Sequence, residues 1–426
     1  MFFVVKKRFS LLIGTAAAVL FLAVGMMIRI AEIPNVIFLT NGSTRTLDYN
    51  LPFSAHIEKA AEDVVKFSGT SLKDVGKYDM NEPLTLATEN SGSTSISLDL
   101  FGLIPVKDID VMVREEIMLY PGGQSIGVML YTDGALVVGS SVVECADGTQ
   151  INPSEAAGLE AGDIIRAVDG VKVENAKHLA LLVNETKEHK LTLTVERDDM
   201  EKQLLIEAAE DSAGEWKLGV WVRDSTAGVG TLTFYDPESG AIAGLGHAIT
   251  DVDTGSMLRV KNGEIILSEV TEVVKGKEGE PGELKGLFDP REEVIGYISE
   301  NTEFGIFGKG EMSIENGLCG PIPAGSRDEL KEGEATIYAS VDDSGVKEYS
   351  CRISEIAKHR SREQKNFVVT ITDEELLERT GGIVQGMSGS PIIQDGKLVG
   401  AVTHVLVNDP TRGYGIFIEN MLEAAG

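Results

Sequence analysis

The sequence predicts a mainly β chain of the α+β class, divided into several domains behind one N-terminal apolar helix. Three observations predict it. A chain of 426 residues has room for two or three separate cores. Its 47 glycines against 13 prolines, with short runs that alternate polar and apolar residues, favour turns and strands over long helices. An apolar run from Phe9 to Ile28, bounded by Lys6, Lys7 and Arg8 on one side and Arg29 on the other, is long enough to cross a bilayer as a helix. The net charge of -29 is spread along the chain, which argues against nucleic acid as a partner, since phosphate binding needs clustered Lys and Arg. Cys145, Cys319 and Cys351 lie far apart and form no C-x-x-C pair, so no zinc site and no cofactor is expected. A bridge between Cys319 and Cys351 and three free thiols both fit that number.

Residues 1–32 read as a cytoplasmic tail and transmembrane anchor. The basic flank stays inside, and everything after Arg29 is sent across the membrane. An uncleaved anchor is favoured over a secretory signal because the run is long and no A-x-A site follows it. Residues 33–105 read as a small β-rich domain, with turn clusters at Asn41-Gly42-Ser43 and Glu89–Ser93 and an alternating run from Ser95 to Phe101. The stretch His56 to Phe67 reads equally as one helix or two strands.

Residues 106–209 carry a denser signal. A short helix starting near Pro153 ends at Gly158, Asp169-Gly170 makes a tight hairpin between Ile165 and Val171, and a helical run follows from Asn175 to Thr186. The segment Ala157 to Gly170 fits A-G-L-x-x-G-D-x-I-x-x-V-x-G and resembles a PDZ domain of the bacterial protease-associated type. The resemblance implies that a peptide adds as a strand and that its carboxylate is held by backbone N–H groups of a glycine-containing loop. That loop is read at Gly122 to Val128, with Gly123, Ser125, Ile126, Gly127 and Val128 as the peptide-binding residues.

Residues 210–426 hold the chemistry. In Gly386-Met387-Ser388-Gly389-Ser390-Pro391 a glycine-permitted turn presents the Ser388 hydroxyl and aims the N–H groups of Gly386 and Ser388 at one point, where an oxyanion would find two donors. Ser388 is preferred to Ser390 because only Ser388 has a glycine two residues before it. A serine hydroxyl needs a base, and His247, between Gly246 and Ala248, is the best of six histidines. His404 is the rival and reads as wall or support of the pocket. For the acid, Asp251, Asp253 and Asp373 compete. Asp373 also reads as a helix N-cap, and spacing does not choose among them.

The run GGIVQGMSGSPIIQDGKLVGAVTH, with AGLGHAITDVDTG upstream and the PDZ signature before it, resembles the stage IV sporulation protein B serine peptidases of endospore-forming bacteria. The resemblance implies a chymotrypsin-like β-barrel peptidase with Ser388 as nucleophile, His247 as base and Asp373 as third member, Asp251 standing as the alternative acid. It also implies self-cleavage, cleavage of a membrane-bound regulator of the stage IV sporulation protein FA kind, and signalling to sigma-factor processing from the space between the forespore membranes. The competing expectation is a membrane-anchored PDZ scaffold with an inactive peptidase-like domain. The presence of serine, histidine and aspartate together speaks against it.

Overall fold

The computed structural model describes residues 30, 33, 36–47, 53–57, 64–68, 77–79, 83–100, 103–186, 189–198, 200–288, 294–311, 313–357 and 364–425. The apolar run expected to cross the membrane lies outside them. Among the described residues, no helix is long and apolar enough to span a bilayer. The chain divides into two compact units, Met1–Ile117 and Met118–Gly426.

The first unit is β-rich. One sheet takes Val36–Thr40, Ile104–Arg114, Gly92–Leu100, Phe53–Ile57 and Lys77–Asp79 in that order, and a second takes Thr44–Leu47, Leu84–Thr88 and Val65–Ser68. Ile37, Leu86, Ile96, Ile109 and Val111 form its buried centre. One open reading narrows to its two-strand alternative and one expectation changes here. The stretch from His56 to Phe67 contributes strand residues at both ends. Residues 106–114, expected to open the PDZ domain, instead pair along Gly92–Leu100 and belong to this unit.

The second unit opens with Met118–Pro121 and then a 16-residue strand, β1 (Ser125–Ser140). Next come a short helix α1 (Pro153–Ala157), strand β2 (Ile164–Val168), helix α2 (Ala176–Glu185) and strands β3 (Lys190–Arg197) and β4 (Met200–Glu207). The ends of α1 and α2 and the turn after β2 are those the sequence predicts. Asn152 caps α1, Gly158 ends it in the left-handed conformation, and Asp169 and Gly170, both at positive φ, turn β2 back on Val171–Lys172. Leu179 and Val183 of α2 pack with Ile165, Leu191, Leu193 and Val195 as one core.

A second 16-residue strand, β5 (Val220–Tyr235), leaves this module, followed by β6 (Ala241–Gly244), β7 (Val260–Leu267), β8 (Val294–Thr302) and β9 (Gly305–Gly310). The pairing order β1-β7-β8-β9-β6-β5 closes on itself because β5 also pairs with β1, from Ser125↔Thr231 to Tyr131↔Ser225. The result is a six-stranded barrel filled by Ile126, Val128, Leu130, Leu232, Ile242, Ile265 and Ile306.

Six later strands, β10 (Gly333–Ala339), β11 (Lys347–Ser354), β12 (Phe367–Ile371), β13 (Pro391–Gln394), β14 (Lys397–Leu406) and β15 (Asp409–Phe417), close a second barrel in the order β10-β11-β12-β15-β14-β13. Helix α3 (Glu374–Thr380) leads from β12 towards β13, and α4 (Ile418–Ala425) follows β15. Tyr349, Phe367, Met387 and Phe417 are buried in this second core.

The structure therefore apportions the chain differently from the expected break at residue 210. Ser125 to Thr132 are barrel residues, paired with β5 on one side and β7 on the other. The PDZ module is an insertion between two neighbouring strands of the first barrel. Those two strands continue past the barrel as one ribbon, with Leu136↔Arg223, Val137↔Val222, Gly139↔Trp221 and Ser140↔Val220, so β1 and β5 serve both bodies. All three cysteines are free, and Cys319 and Cys351 are not bridged.

Candidate active site

The nucleophile turn begins where α3 stops at Gly381. From there the backbone is held at nearly every step. Ile383 N–H donates to Pro410 O, Gln385 N–H to Gly282 O, Gly389 N–H to Val402 O at 2.7 Å, and Val402 N–H returns to Ser390 O. Strand β5 adds three ties: Thr231 N–H to Ser388 O at 3.0 Å, Thr231 Oγ1 to Gly386 O at 2.7 Å and Thr233 Oγ1 to Gly389 O at 2.8 Å. Gly389 is obligatory here. Its φ is +97°, and an added Cβ would lie 2.1 Å from Thr231 O. Met387 points into the second core and Ser390 is fully buried, so Ser388 is the hydroxyl left facing the cleft.

Across the cleft, His247 follows β6 through Leu245 and Gly246, both at positive φ. A bulky residue such as Leu245 in the left-handed region costs about 1–2 kcal/mol. Burial of its side chain at 6 % exposure and a 3.2 Å hydrogen bond from its N–H to Thr231 O hold it there. That conformation turns the chain so that the His247 ring enters the cleft. His247 Nδ1 lies 2.8 Å from Ala248 O. A carbonyl only accepts, so Nδ1 carries the proton and Nε2 keeps the lone pair a general base needs. Burial holds the His247 pKa below the ordinary histidine value, outweighing the opposite pull of the Ala248 hydrogen bond. The ring is neutral, and ready to accept a proton, at neutral pH.

Ser388 and His247 line the same cleft, about 480 Å³ in volume, whose walls include Val229, Ile249, Pro281, Ile383, Val384, Gln385, Thr403, Val405 and Val407. Among the described residues, no Asp, Glu, Lys or Arg lines it. In this structure the Ser388 hydroxyl donates to Thr403 O at 2.6 Å rather than to His247. A rotation of the hydroxyl about χ1 is therefore the first event of any reaction.

The expected acids are elsewhere. Asp373 N-caps α3, accepting from Leu376 N–H at 3.0 Å and from Ser350 N–H at 3.3 Å. Asp251 is 2 % exposed and staples its own loop, accepting from Asp253 N–H, Thr254 N–H, Thr254 Oγ1 and Arg223. Burial alone would raise its pKa, but those donors and the Arg223 charge outweigh it and hold the carboxyl below the usual range. Asp253 pairs with Arg223 at 2.8 Å. Among the described residues no carboxylate forms an ion pair or hydrogen bond with His247. The Ala248 carbonyl fixes its tautomer instead, a partner that sequence reasoning missed because every residue carries one. His404 does reach the site: its ring centroid is 4.9 Å from that of His247, at an interplanar angle of 39°.

The peptide-binding loop expected at Gly123, Ser125, Ile126, Gly127 and Val128 is also displaced. Ser125, Ile126 and Val128 are 4 %, 0 % and 2 % exposed, and their backbone is already paired on both sides, so no edge is left for an added strand. The open groove lies within the module itself. It measures about 510 Å³ and runs between Ala176, Leu179, Ala180 and Val183 of α2 and the segment Trp216 to Val222. Gly219 lies at φ +62°, with Ser141 O only 2.6 Å from where a Cβ would stand. Val220–Arg223 pair with β1 along one edge; among the described residues the other edge has no strand and faces α2. The signal was present in the sequence as Lys217-Leu218-Gly219-Val220, a second glycine entering a strand.

Two barrels that place a serine and a histidine on opposite walls of one cleft, with free N–H groups at the serine turn, define a serine peptidase. The comparisons agree. Residues 214–422 match the family model of the SpoIVB peptidase S55, and residues 127–207 match that of the PDZ domain. The chain carries a SpoIVB-type S55 peptidase domain together with a PDZ domain. No curated protein matches it. Among solved structures it is similar to the Rv3671c protease of M. tuberculosis H37Rv in an inactive form, at 13% identity and TM-score 0.24, covering 46% of this chain and 81% of that one. It is also similar to the HtrA-type protease AlgW with a decapeptide, at 13% identity and TM-score 0.26, covering 47% of this chain and 51% of that one. Scores this low do not define a shared architecture, which rests on the strand pairings above.

Proposed function

We propose that this chain is a membrane-anchored sporulation endopeptidase that cuts itself and a membrane-bound regulatory protein, and so signals the activation of sigma-factor processing during spore formation. Its working place is then outside the cytoplasm, in the space between the forespore membranes. The single observation that carries the peptidase reading is the pair Ser388 and a neutral, tautomer-fixed His247 in one cleft. The regulatory reading leans on the SpoIVB family match. The PDZ groove beside Val220–Val222 takes the end of a peptide chain as an added strand, recruiting substrate or restraining the enzyme.

The reaction follows from the geometry. The Ser388 hydroxyl leaves Thr403 O, gives its proton to His247 Nε2, and Oγ attacks the peptide carbonyl carbon. The N–H groups of Gly386 and Ser388 receive the oxyanion; among the described residues neither is committed to another backbone acceptor. The imidazolium, held at Nδ1 by Ala248 O, protonates the leaving amine. Water activated by the same His247 then releases the acyl group. A cleft that no Asp, Glu, Lys or Arg lines among the described residues favours an apolar residue on the acyl side of the cut, because a charge placed there would be desolvated without a partner.

The test is labelling of the full chain with an active-site-directed fluorophosphonate, followed by mapping of the labelled peptide and of self-cleavage products. Label on Ser388, lost in Ser388→Ala together with self-cleavage, is the expected result. An unlabelled, uncut wild-type chain in the membrane would instead support the inactive scaffold.

A further inference from the structure

The two ends of the first unit differ. Val36–Thr40 runs parallel to Ile104–Arg114, from Val36↔Asp110 to Thr40↔Arg114, and Gly92–Leu100 runs antiparallel to the same strand. One end of the sheet thus gathers Thr40, Gly92 and Arg114, and the other gathers Leu100, Ile104 and the residues that precede Val36. At the first end the turns are polar: Asn41, Gly42 and the run from Glu89 to Ser93 are exposed. The chain also leaves the unit there, after Arg114. At the second end a hairpin joins Gly92–Leu100 to Ile104–Arg114, and Leu103 N–H donates to Leu100 O across it at 3.1 Å. Leu103 is 84 % exposed and Ile104 56 %; among the described side chains of the first unit these are the large apolar ones that stand in water. Pro105, also exposed, continues the uncharged stretch. Single exposed leucines are ordinary on a protein surface, but two adjacent apolar side chains at one end of a unit are a patch with a direction.

The apolar run from Phe9 to Ile28 joins the unit at this second end. Only Arg29 separates the run from Ile30. Ile30 packs against the core of the unit, Ile33 is buried in it, and Lys107 Nζ donates to Ile30 O at 3.3 Å and to Ile33 O. Lys107 stands three positions after Ile104 on the same strand, or about 10 Å along it. A bilayer crossed by the apolar run is therefore within reach of the hairpin, and no free linker holds the unit away from it. We propose that Leu103 and Ile104 are a second membrane contact, seated in the interfacial layer of the lipid bilayer beside the point where the N-terminal run leaves it. This rests on the membrane-anchored reading above. Lipid is the occupant because the patch shares its end of the unit with the entering run, while polar turns occupy the end where the chain goes on. Lipid also removes from water the apolar surface that folding left exposed. One point of attachment leaves a body free to pivot. A second removes that freedom and turns the Arg114 end away from the bilayer.

The experiment places the photo-cross-linking residue p-benzoylphenylalanine at Leu103 in the full chain, reconstituted in vesicles of phosphatidylcholine and phosphatidylglycerol. After irradiation the adducts are analysed for lipid. The same probe at Ser91, exposed at the polar end of the unit, is the control. Lipid adducts at Leu103 are expected at a yield at least about 10-fold above that at Ser91, and Ile104→Asp should lower the Leu103 yield several-fold by drawing the hairpin into water. Equal yields at the two positions, or adducts at Leu103 to protein instead of lipid, overturn the proposal. Carbonate extraction of the same vesicles keeps the two readings apart. A chain that stays with the lipid but forms no lipid adduct at Leu103 sinks the second contact alone, whereas a chain washed off the vesicles removes the membrane anchor and the second contact with it.

Discussion

The two barrels are built from the same number of strands but by different routes. In the second, all six strands fall within residues 333–417, and the ring is closed by pairing β10 with β13. In the first, the ring closes only because β5 returns to β1 after the whole PDZ module has intervened. The difference shows where coupling enters. The second barrel supplies the nucleophile turn and is self-contained. The first supplies the base and shares two strands with the peptide groove. Along β5, Val220–Val222 line the groove, residues 226–229 line the cleft, and Thr231 and Thr233 hold the serine turn.

The comparison is tested most severely by removing one reacting group from each barrel. Ser388→Ala and His247→Ala are each expected to lower kcat by at least about 10⁴-fold, and the double variant by no more, because the two act as one device. Additive losses in peptide turnover would mean that the barrels work independently. A smaller effect is expected from Thr231→Val, which keeps the shape of β5 but removes the hydroxyl bound to Gly386 O. With the oxyanion turn no longer fixed, kcat should fall by about 10-fold with the unfolding midpoint little changed.

The pH dependence separates the barrels again. Because burial holds His247 below the ordinary histidine value of about 6.5, its base form survives as pH falls past that point, and the acid limb of kcat/KM is expected below it. His404 has a folded pKa of about 4 against about 6.5 unfolded, so between these values the unfolded chain binds the proton more readily. Thermal stability should therefore fall as pH drops from about 6.5 to about 4 and stop falling from this source below that. Calorimetry across the range checks the sign. The smallest effect is expected at Asp373. Asn caps a helix about as well as Asp, so Asp373→Asn should leave kcat within about 3-fold, whereas Asp373→Ala should cost about 1 kcal/mol of stability, read by denaturant unfolding.

Several parts of this were legible in the residues. The helix from Pro153 to Gly158, the Asp169-Gly170 hairpin and the Ser388 turn depend on backbone preferences within a few residues, and each forms where it was expected. Asp373 was ambiguous for a physical reason. Capping a helix and orienting a histidine both ask for an acceptor at the end of an element, and only the three-dimensional position of the ring decides. The peptide groove failed similarly. Gly123 to Val128 and Leu218 to Val222 are both glycine-bearing entries to strands, and the one that keeps a free edge is known only once the pairings are known.

By itself, then, the sequence determined the β-rich class, the PDZ signature, and Ser388 and His247 as the candidate pair that one cleft brings together, because these rest on local turn chemistry and on residue types with few alternative uses. The tertiary structure alone decided that the PDZ module interrupts a barrel, that a carbonyl and a second histidine rather than an acid neighbour the base, and that one strand serves both groove and cleft. Those are outcomes of contacts between residues far apart in the chain, as Ser125 with Thr231, Ile126 with Leu267 and His247 with His404, and such contacts are chosen by which edges remain unsatisfied after the local elements have formed.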